Sequence, residues 1–188
     1  MKGVYMNTGI IIVLIVVGIL LICIIAWISM SNSIKVAGLK VDEALSGIDV
    51  ALTKRYDTLT KMLDVVKGYK AHELEALTQI TAMRSGMSMA ERNFANGQMD
   101  QLSGQIRILA ENYPELRSNQ NFLELQRTIA DVEEHLQASR RLYNANVTAF
   151  NTKLVTFPSS MVASSIGAVR REFFVADETR RQDVRMTF

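Results

Sequence analysis

Few residues in this chain could do chemistry. His72 and His135 are the two histidines, and each stands among carboxylates: Glu73 and Glu75 beside the first, Asp131, Glu133 and Glu134 beside the second. Imidazole with carboxylate could hold a transition metal between facing helices, but carboxylate-bundle proteins place a Glu-x-x-His unit on inward faces. Here Asp131 and His135 are four apart, and Leu136, next door, belongs to the apolar face. The pattern reads as a polar helix surface. Glu133 and Glu134 fail as a paired acid and base, because consecutive helical residues point about 100° apart. Arg140-Arg141 could bind phosphate, and as neighbours on a helix they read as surface charge. Cys23 is the single cysteine, so neither a disulfide framework nor a Cys-based zinc site is available. No phosphate loop, GxSxG, HExxH or CxxC pattern occurs. The sequence assigns no catalytic, cofactor-binding or metal residue, and it calls for no cofactor.

The elements that would position these groups are helices. Only two prolines, Pro114 and Pro158, occur in 188 residues. The net charge of +2 gives no electrostatic reason to bind nucleic acid. Between Lys2 and Lys35 there is no charge at all. The heart of that segment, IIIVLIVVGILLICIIAWI, would extend roughly 28 Å as a helix, close to the ~30 Å hydrocarbon layer of a bilayer. Ile10, Ile15, Leu20 and Ile25 face lipid in this reading, and Trp27 stands where an aromatic belt is expected. A cleavable signal peptide is the rival, with Ser29 and Ser31 as a weak small-x-small site, but the apolar run exceeds the usual ~7–15 residues. Gly18 and Cys23 could let helices approach, although one glycine makes no GxxxG motif. Lys2 on one side is balanced by Lys35 and Lys40 on the other, so the residues leave sidedness open.

Beyond the span, Val41, Leu45, Ile48, Leu52, Tyr56, Leu59, Leu63 and Val66 recur at threes and fours, an amphipathic helix. The pattern weakens through Leu74, Leu77 and Ile80 towards a stop at Ser85-Gly86. Nothing between residues 28 and 34 compels a break, so span and soluble helix are expected as one rod. A second helix is predicted over residues 88–113 on Met99, Leu102, Ile106, Leu109 and Tyr113, with Asn96-Gly97 as an interruption. A turn at Tyr113-Pro114 follows, with Ser118 or Asn119 as the next cap.

The last long helix, over residues 119–157, repeats Phe122, Ile129, Leu136, Tyr143, Phe150 and Phe157 every seven positions. These are its core residues. Leu125 and Val132 fill the second stripe early and Val147 and Leu154 late, the drift of a 3.6-residue helix against a 3.5-residue repeat. Phe157-Pro158 ends it. Short connections predict antiparallel neighbours. The methionines near residues 83–99 read as core filling, with an adaptable partner surface as the rival. A short apolar segment over 161–168 packs back. The tail mixes five arginines with four acids; Phe173 and Phe174 could dock and the remainder reads as solvated or disordered, with binding to anionic lipid as the rival, which the interleaved acids weaken. The fold class is therefore all-α: an N-terminal transmembrane helix continuing into an antiparallel three- to four-helix up-and-down bundle. The segments are residues 1–9, a span over 10–30, a bundle over 31–168 and a charged tail over 169–188.

Three stretches carry a resemblance. They are VDEALSGIDVALTKRYDTLTKMLDVVKGYKAHE, ENYPELRSNQNFLELQ and RRLYNANVTAFNTKLVTFPSSMVA, with REFFVADE near the end. Together they resemble the LemA family in order and spacing. The resemblance implies a bacterial inner-membrane protein with one span, a short N-terminus outside and a helical bundle in the cytoplasm. It implies no catalytic residues. Its recurring positions fall on Arg55, Tyr56, Asp57, Lys67, Gly68, Tyr69, His72, Glu73, Tyr113, Pro114, Tyr143, Asn144, Phe150, Asn151, Phe157 and Pro158. Thr60 stands where many members have proline, which predicts an unkinked helix here.

The functional expectation is a membrane-anchored, non-enzymatic scaffold whose partners are the lipid bilayer and further copies of itself. Ile34, Val41, Leu45 and Ile48 are the expected self-association stripe, left uncovered by shorter helices. An adaptor or stress protein bound to another membrane protein, such as a protease, is the alternative.

Overall fold

A run of apolar and strong helix-forming residues with no proline before position 114 has little reason to break. In a computed structural model, which describes residues 8–68 and 86–175, helix α1 is continuous over Thr8–Lys67. It passes without interruption from the apolar segment through Ser29 to Ser33, as the sequence predicts. It also passes through Thr60, whose hydroxyl donates to the Tyr56 carbonyl at 2.9 Å. The remaining helices are α2 (Met89–Asn112), α3 (Pro114–Ser118), α4 (Gln120–Val155) and α5 (Ser159–Ser165), and the described residues hold no strand.

The starts of α2 and α4 are set by short polar side chains. Ser88 caps α2 with a reciprocal box: its hydroxyl accepts from the Glu91 amide at 3.2 Å, and its own amide donates to Glu91 Oε2 at 2.7 Å. Asn119 caps α4 by accepting the Phe122 amide at 3.0 Å. α2 runs through Asn96-Gly97 without the expected interruption, because Asn96 has a buried partner described below. The expected continuation of the first helix through Leu74, Leu77 and Ile80 lies outside the described residues.

The chain divides into two compact units, each containing parts of α1 and α4. One comprises Val41–Val147 with Glu172–Phe188. Its core gathers Leu59, Met62, Val66, Met87, Met99, Leu102, Ile106, Leu116 and Phe122, with Ile129 partly buried against them. Met62, Met87 and Met99 thus fill core rather than form a surface. Direction follows from the pairings. Asp49 meets Arg92, and Arg55 meets Asn96 and Asp100, so α1 and α2 run the same way. Arg55 also meets Glu133 while Gly47 approaches Ser139, so α4 runs against α1. The antiparallel arrangement therefore belongs to α4 against the other two.

The other unit comprises Met1–Lys40 with Thr148–Arg171. Its buried residues are Ile34, Ala37, Phe150, Val162 and Ala163. Gly38 allows the close approach: a Cβ there would sit 3.4 Å from the Phe150 ring. Lys153 Nζ donates to Ser33 Oγ at 2.9 Å, so α4 is antiparallel to α1 here as well. α5 closes with a Schellman motif. The Ala168 amide reaches the Ala163 carbonyl and the Gly167 amide that of Ser164, with Gly167 at φ +67°.

Two expectations are corrected. The stripe expected to lie open is covered within the chain: Ile34, Val41 and Ile48 are buried and Leu45 is half-buried. Other parts of the same chain cover these four residues, while Val36, Leu39 and Val50 on α1 stay exposed. Phe157, expected in the core, is 81 % exposed. α4 ends at Val155, two residues before it, so the heptad that would turn Phe157 inward has already stopped.

Candidate functional site

The charged centre of the larger unit is Arg55, which the apolar pattern of α1 did not place inside. Positions 52, 55, 59, 62 and 66 all lie on the buried face, so helical geometry carries the guanidinium into the core beside Leu52 and Leu59. Arg55 is 1 % exposed. Its Nη1 donates to Asn96 Oδ1 at 2.7 Å, and its Nη2 lies 2.5 Å from both Asp100 Oδ1 and Glu133 Oε1. One buried cation therefore joins three helices, with two carboxylates and an amide as acceptors. A planar fork suits this task; a lysine ammonium would not match its geometry. Nε has no partner.

A second arginine repeats the device. Arg92 donates from Nε and Nη2 to the two oxygens of Asp49 at 2.6 and 2.8 Å, and from Nη1 to the Met87 carbonyl. The hydrogen bond to Asp49 raises the Arg92 pKa above its ordinary value, against burial, which lowers it. Beside Arg55 a half-open cleft of about 610 Å³ lies between α2 and α4, lined among others by Ser103, Arg107, Gln126 and Gln137.

The polar residues of the RRLYNANVTAFN stretch hold the chain's extended end. In the larger unit, Asn144 Oδ1 accepts the Phe174 amide and its Nδ2 donates to the Phe174 carbonyl, both at 3.0 Å. Tyr143 donates its hydroxyl to the Glu172 carbonyl at 2.8 Å. Phe174 is buried, with the Arg140 guanidinium 4.9 Å from its ring centroid. In the smaller unit Asn151 makes the same two-way pairing with the backbone of Arg171, at 2.9 Å each way. A side-chain amide offers one acceptor and donors on one plane, as a peptide group does, so it can satisfy both backbone groups of one residue. In the sequence these asparagines stood out only among the positions that recur in the resemblance. Their seven-residue spacing, equal to that of Tyr143 and Phe150, was the available signal.

The other residues singled out from sequence fall as follows. Ile10, Ile15, Leu20, Ile25 and Trp27 are all exposed along α1. Phe122, Leu136, Tyr143 and Phe150 are buried. Of the metal idea, His72 lies outside the described residues and His135 is exposed, while Glu133 is engaged by Arg55. Among the described residues no group of three or more His, Cys, Asp or Glu side chains could hold a metal ion. One described helix, α1, is long and apolar enough to cross a membrane, by length and composition.

The family model described as LemA family matches residues 44–188. The chain belongs to the LemA family. Among relatives, Protein LemA of Metamycoplasma hominis is 32 % identical over 150 residues, covering 77 % of this chain and 68 % of that protein. Magnetosome protein MamQ of Magnetospirillum gryphiswaldense is 24 % identical over 80 residues, covering 43 % of this chain and 29 % of that one. The chain thus spans about two thirds of the first relative and less than a third of the second. The LemA match begins at residue 44, beyond the apolar segment and before Arg55.

Proposed function

We propose that this LemA-family chain is a membrane-anchored, non-enzymatic helical scaffold, fixed in the bacterial inner membrane by α1 with its bundle in the cytoplasm, and assembling laterally with copies of itself. The observation that carries this reading is where the buried charge goes. Arg55 and Arg92 are tied to Asp100, Glu133 and Asp49, which join one helix to the next. Charge placed this way specifies packing rather than poising a group for reaction. With Ile34, Val41 and Ile48 covered by the chain itself, contact between copies falls to the span, where tethering raises the effective concentration.

The test uses Cys23, exposed within the apolar part of α1. Mild oxidation of membranes carrying the full-length protein should trap a Cys23-linked dimer. Light scattering of the detergent-solubilised protein should give a defined mass above that of one chain. A monomer by both measurements would overturn the scaffold. It would favour the second reading, an adaptor for another membrane protein, which the half-open cleft beside Arg55 could serve by receiving a partner's side chain.

A further inference from the structure

The smaller unit has a charge pattern unlike the rest of the chain. Met1–Lys40 and Thr148–Arg171 contain six cations and none of the chain's acidic residues, a net +6; Lys2 precedes the apolar segment, and Lys35, Lys40, Lys153, Arg170 and Arg171 lie beyond it. The remaining residues therefore carry −4 of the chain's total of +2. This basic unit is also where apolar side chains project. Phe157 is 81 % and Met161 60 % exposed at the turn from α4 into α5, and Val169, after α5, is 77 % exposed.

The level of that turn along α1 can be worked out within the unit. Phe150 faces Gly38, and Lys153 bonds Ser33. From Phe150 to Phe157 the chain advances about 10 Å if helical rise continued, which on the antiparallel α1 reaches the level of Ser31. Cover on α1 begins there: Met30 and Ser31 are half-buried, whereas residues 9–29 are exposed, Gly18 excepted. Trp27 follows one turn further into the apolar segment. Phe157 thus stands near the level of Ser31, about one turn beyond Trp27 and the end of the apolar segment.

We propose that the α4–α5 turn is a second membrane contact, with Phe157 and Met161 entering the interface of the leaflet that α1 exits, and Lys35, Lys153 and Arg170 lying at anionic phospholipid headgroups. Aromatic and thioether side chains gain most at that depth, and basic side chains extend from it to phosphate. Each cation near an anionic leaflet adds attraction that falls off within a Debye length. The contact would fix the membrane-proximal end of α4 at the bilayer surface, where α1 alone leaves it free to tilt. It rests on the reading of α1 as a span.

The experiment keeps the full chain. In a Cys23→Ser background, single cysteines at Phe157, at Ile15 in the span and at Phe94 on α2 carry an environment-sensitive dye, in vesicles of phosphatidylcholine with phosphatidylglycerol. Phe157 and Phe94 are both exposed, so neither substitution disturbs a core. Quenching by spin-labelled lipid should be strong at Ile15 and Phe157 and weak at Phe94, with iodide quenching in the opposite order. Quenching by lipid at Ile15 but not at Phe157 overturns the second contact and leaves the span standing. No lipid quenching at either position overturns both. Protection of Phe157 from iodide without lipid quenching overturns the proposal in favour of a second copy of the chain as the cover. Omitting phosphatidylglycerol should weaken lipid quenching at Phe157 several-fold; no change would remove the headgroup part.

Discussion

Replacing Arg55 by methionine tests the central argument about buried charge. Methionine keeps much of the apolar stem and removes the guanidinium. Asp100 and Glu133, with side chains 19 % and 35 % exposed, then lose their shared cation. Removing one partner of a buried pair costs roughly 3–5 kcal/mol, because the other charge is left uncompensated. Glu133 is exposed enough to turn towards water, which places the cost at the lower end, about 3 kcal/mol. For a chain of this size that corresponds to a fall in Tm of roughly 6–12 °C. Thermal unfolding of the full chain in mild detergent, followed by far-UV circular dichroism, reads it. Adding Asp100→Asn and Glu133→Gln to Arg55→Met removes the stranded charges and should recover more than half of the loss. A cost below about 1 kcal/mol, as for a surface pair, would refute the buried-charge account. So would a triple variant no more stable than Arg55→Met.

Gly167→Ala should destabilise the bundle by roughly 1–2 kcal/mol, because φ +67° is left-handed and nothing else within 4 Å would meet the new methyl group; the same thermal assay checks it. Gly104→Ala, also with nothing within 4 Å but inside α2, should instead stabilise by roughly 0.5–1 kcal/mol. Asn144→Leu removes both bonds to Phe174 and should release the extended end, seen as faster hydrogen exchange at Phe174 and faster tryptic cleavage at Arg171. For Arg92 the pKa is raised in the fold, so its stabilisation is complete below the ordinary arginine value and is lost only as pH rises through the higher folded value. The stability difference between the wild type and Arg92→Gln should therefore stay constant from neutral to mildly alkaline pH in urea titrations.

Much of this was legible because helical periodicity reports faces. The start of α2 near residue 88, the turn at Tyr113-Pro114, the Asn119 cap of α4 and the unbroken α1 follow from local chemistry, and each is found. What periodicity hides is sign. A heptad rule counts apolar residues, so it set Tyr56 between Leu52 and Leu59, although Arg55 is the buried residue there and Tyr56 is only half-buried. The same rule extrapolated Phe157 into the core, two residues past the point where backbone geometry had left the helix. The covered stripe was misread for another reason. Whether Ile34 to Ile48 lie open depends on how far α4 and the segment after it reach back along α1, and that is a tertiary matter no single-helix pattern contains.

The asparagines show how a polar face can be structural without being reactive. The extended chain after α5 has no strand to pair with, and its amides and carbonyls need partners wherever they leave water. Asn144 and Asn151 supply them one residue at a time, each acting as a detached peptide group. The cost of such a device is specificity of position, since a shift of one residue along α4 would turn the amide by about 100° and lose both bonds. Phe174, seated under Arg140, holds that register in the larger unit. Tyr143, Asn144 and Phe150 thus form one motif for a physical reason: the aromatics bury the face of α4, and the asparagine satisfies the backbone of the segment laid against it.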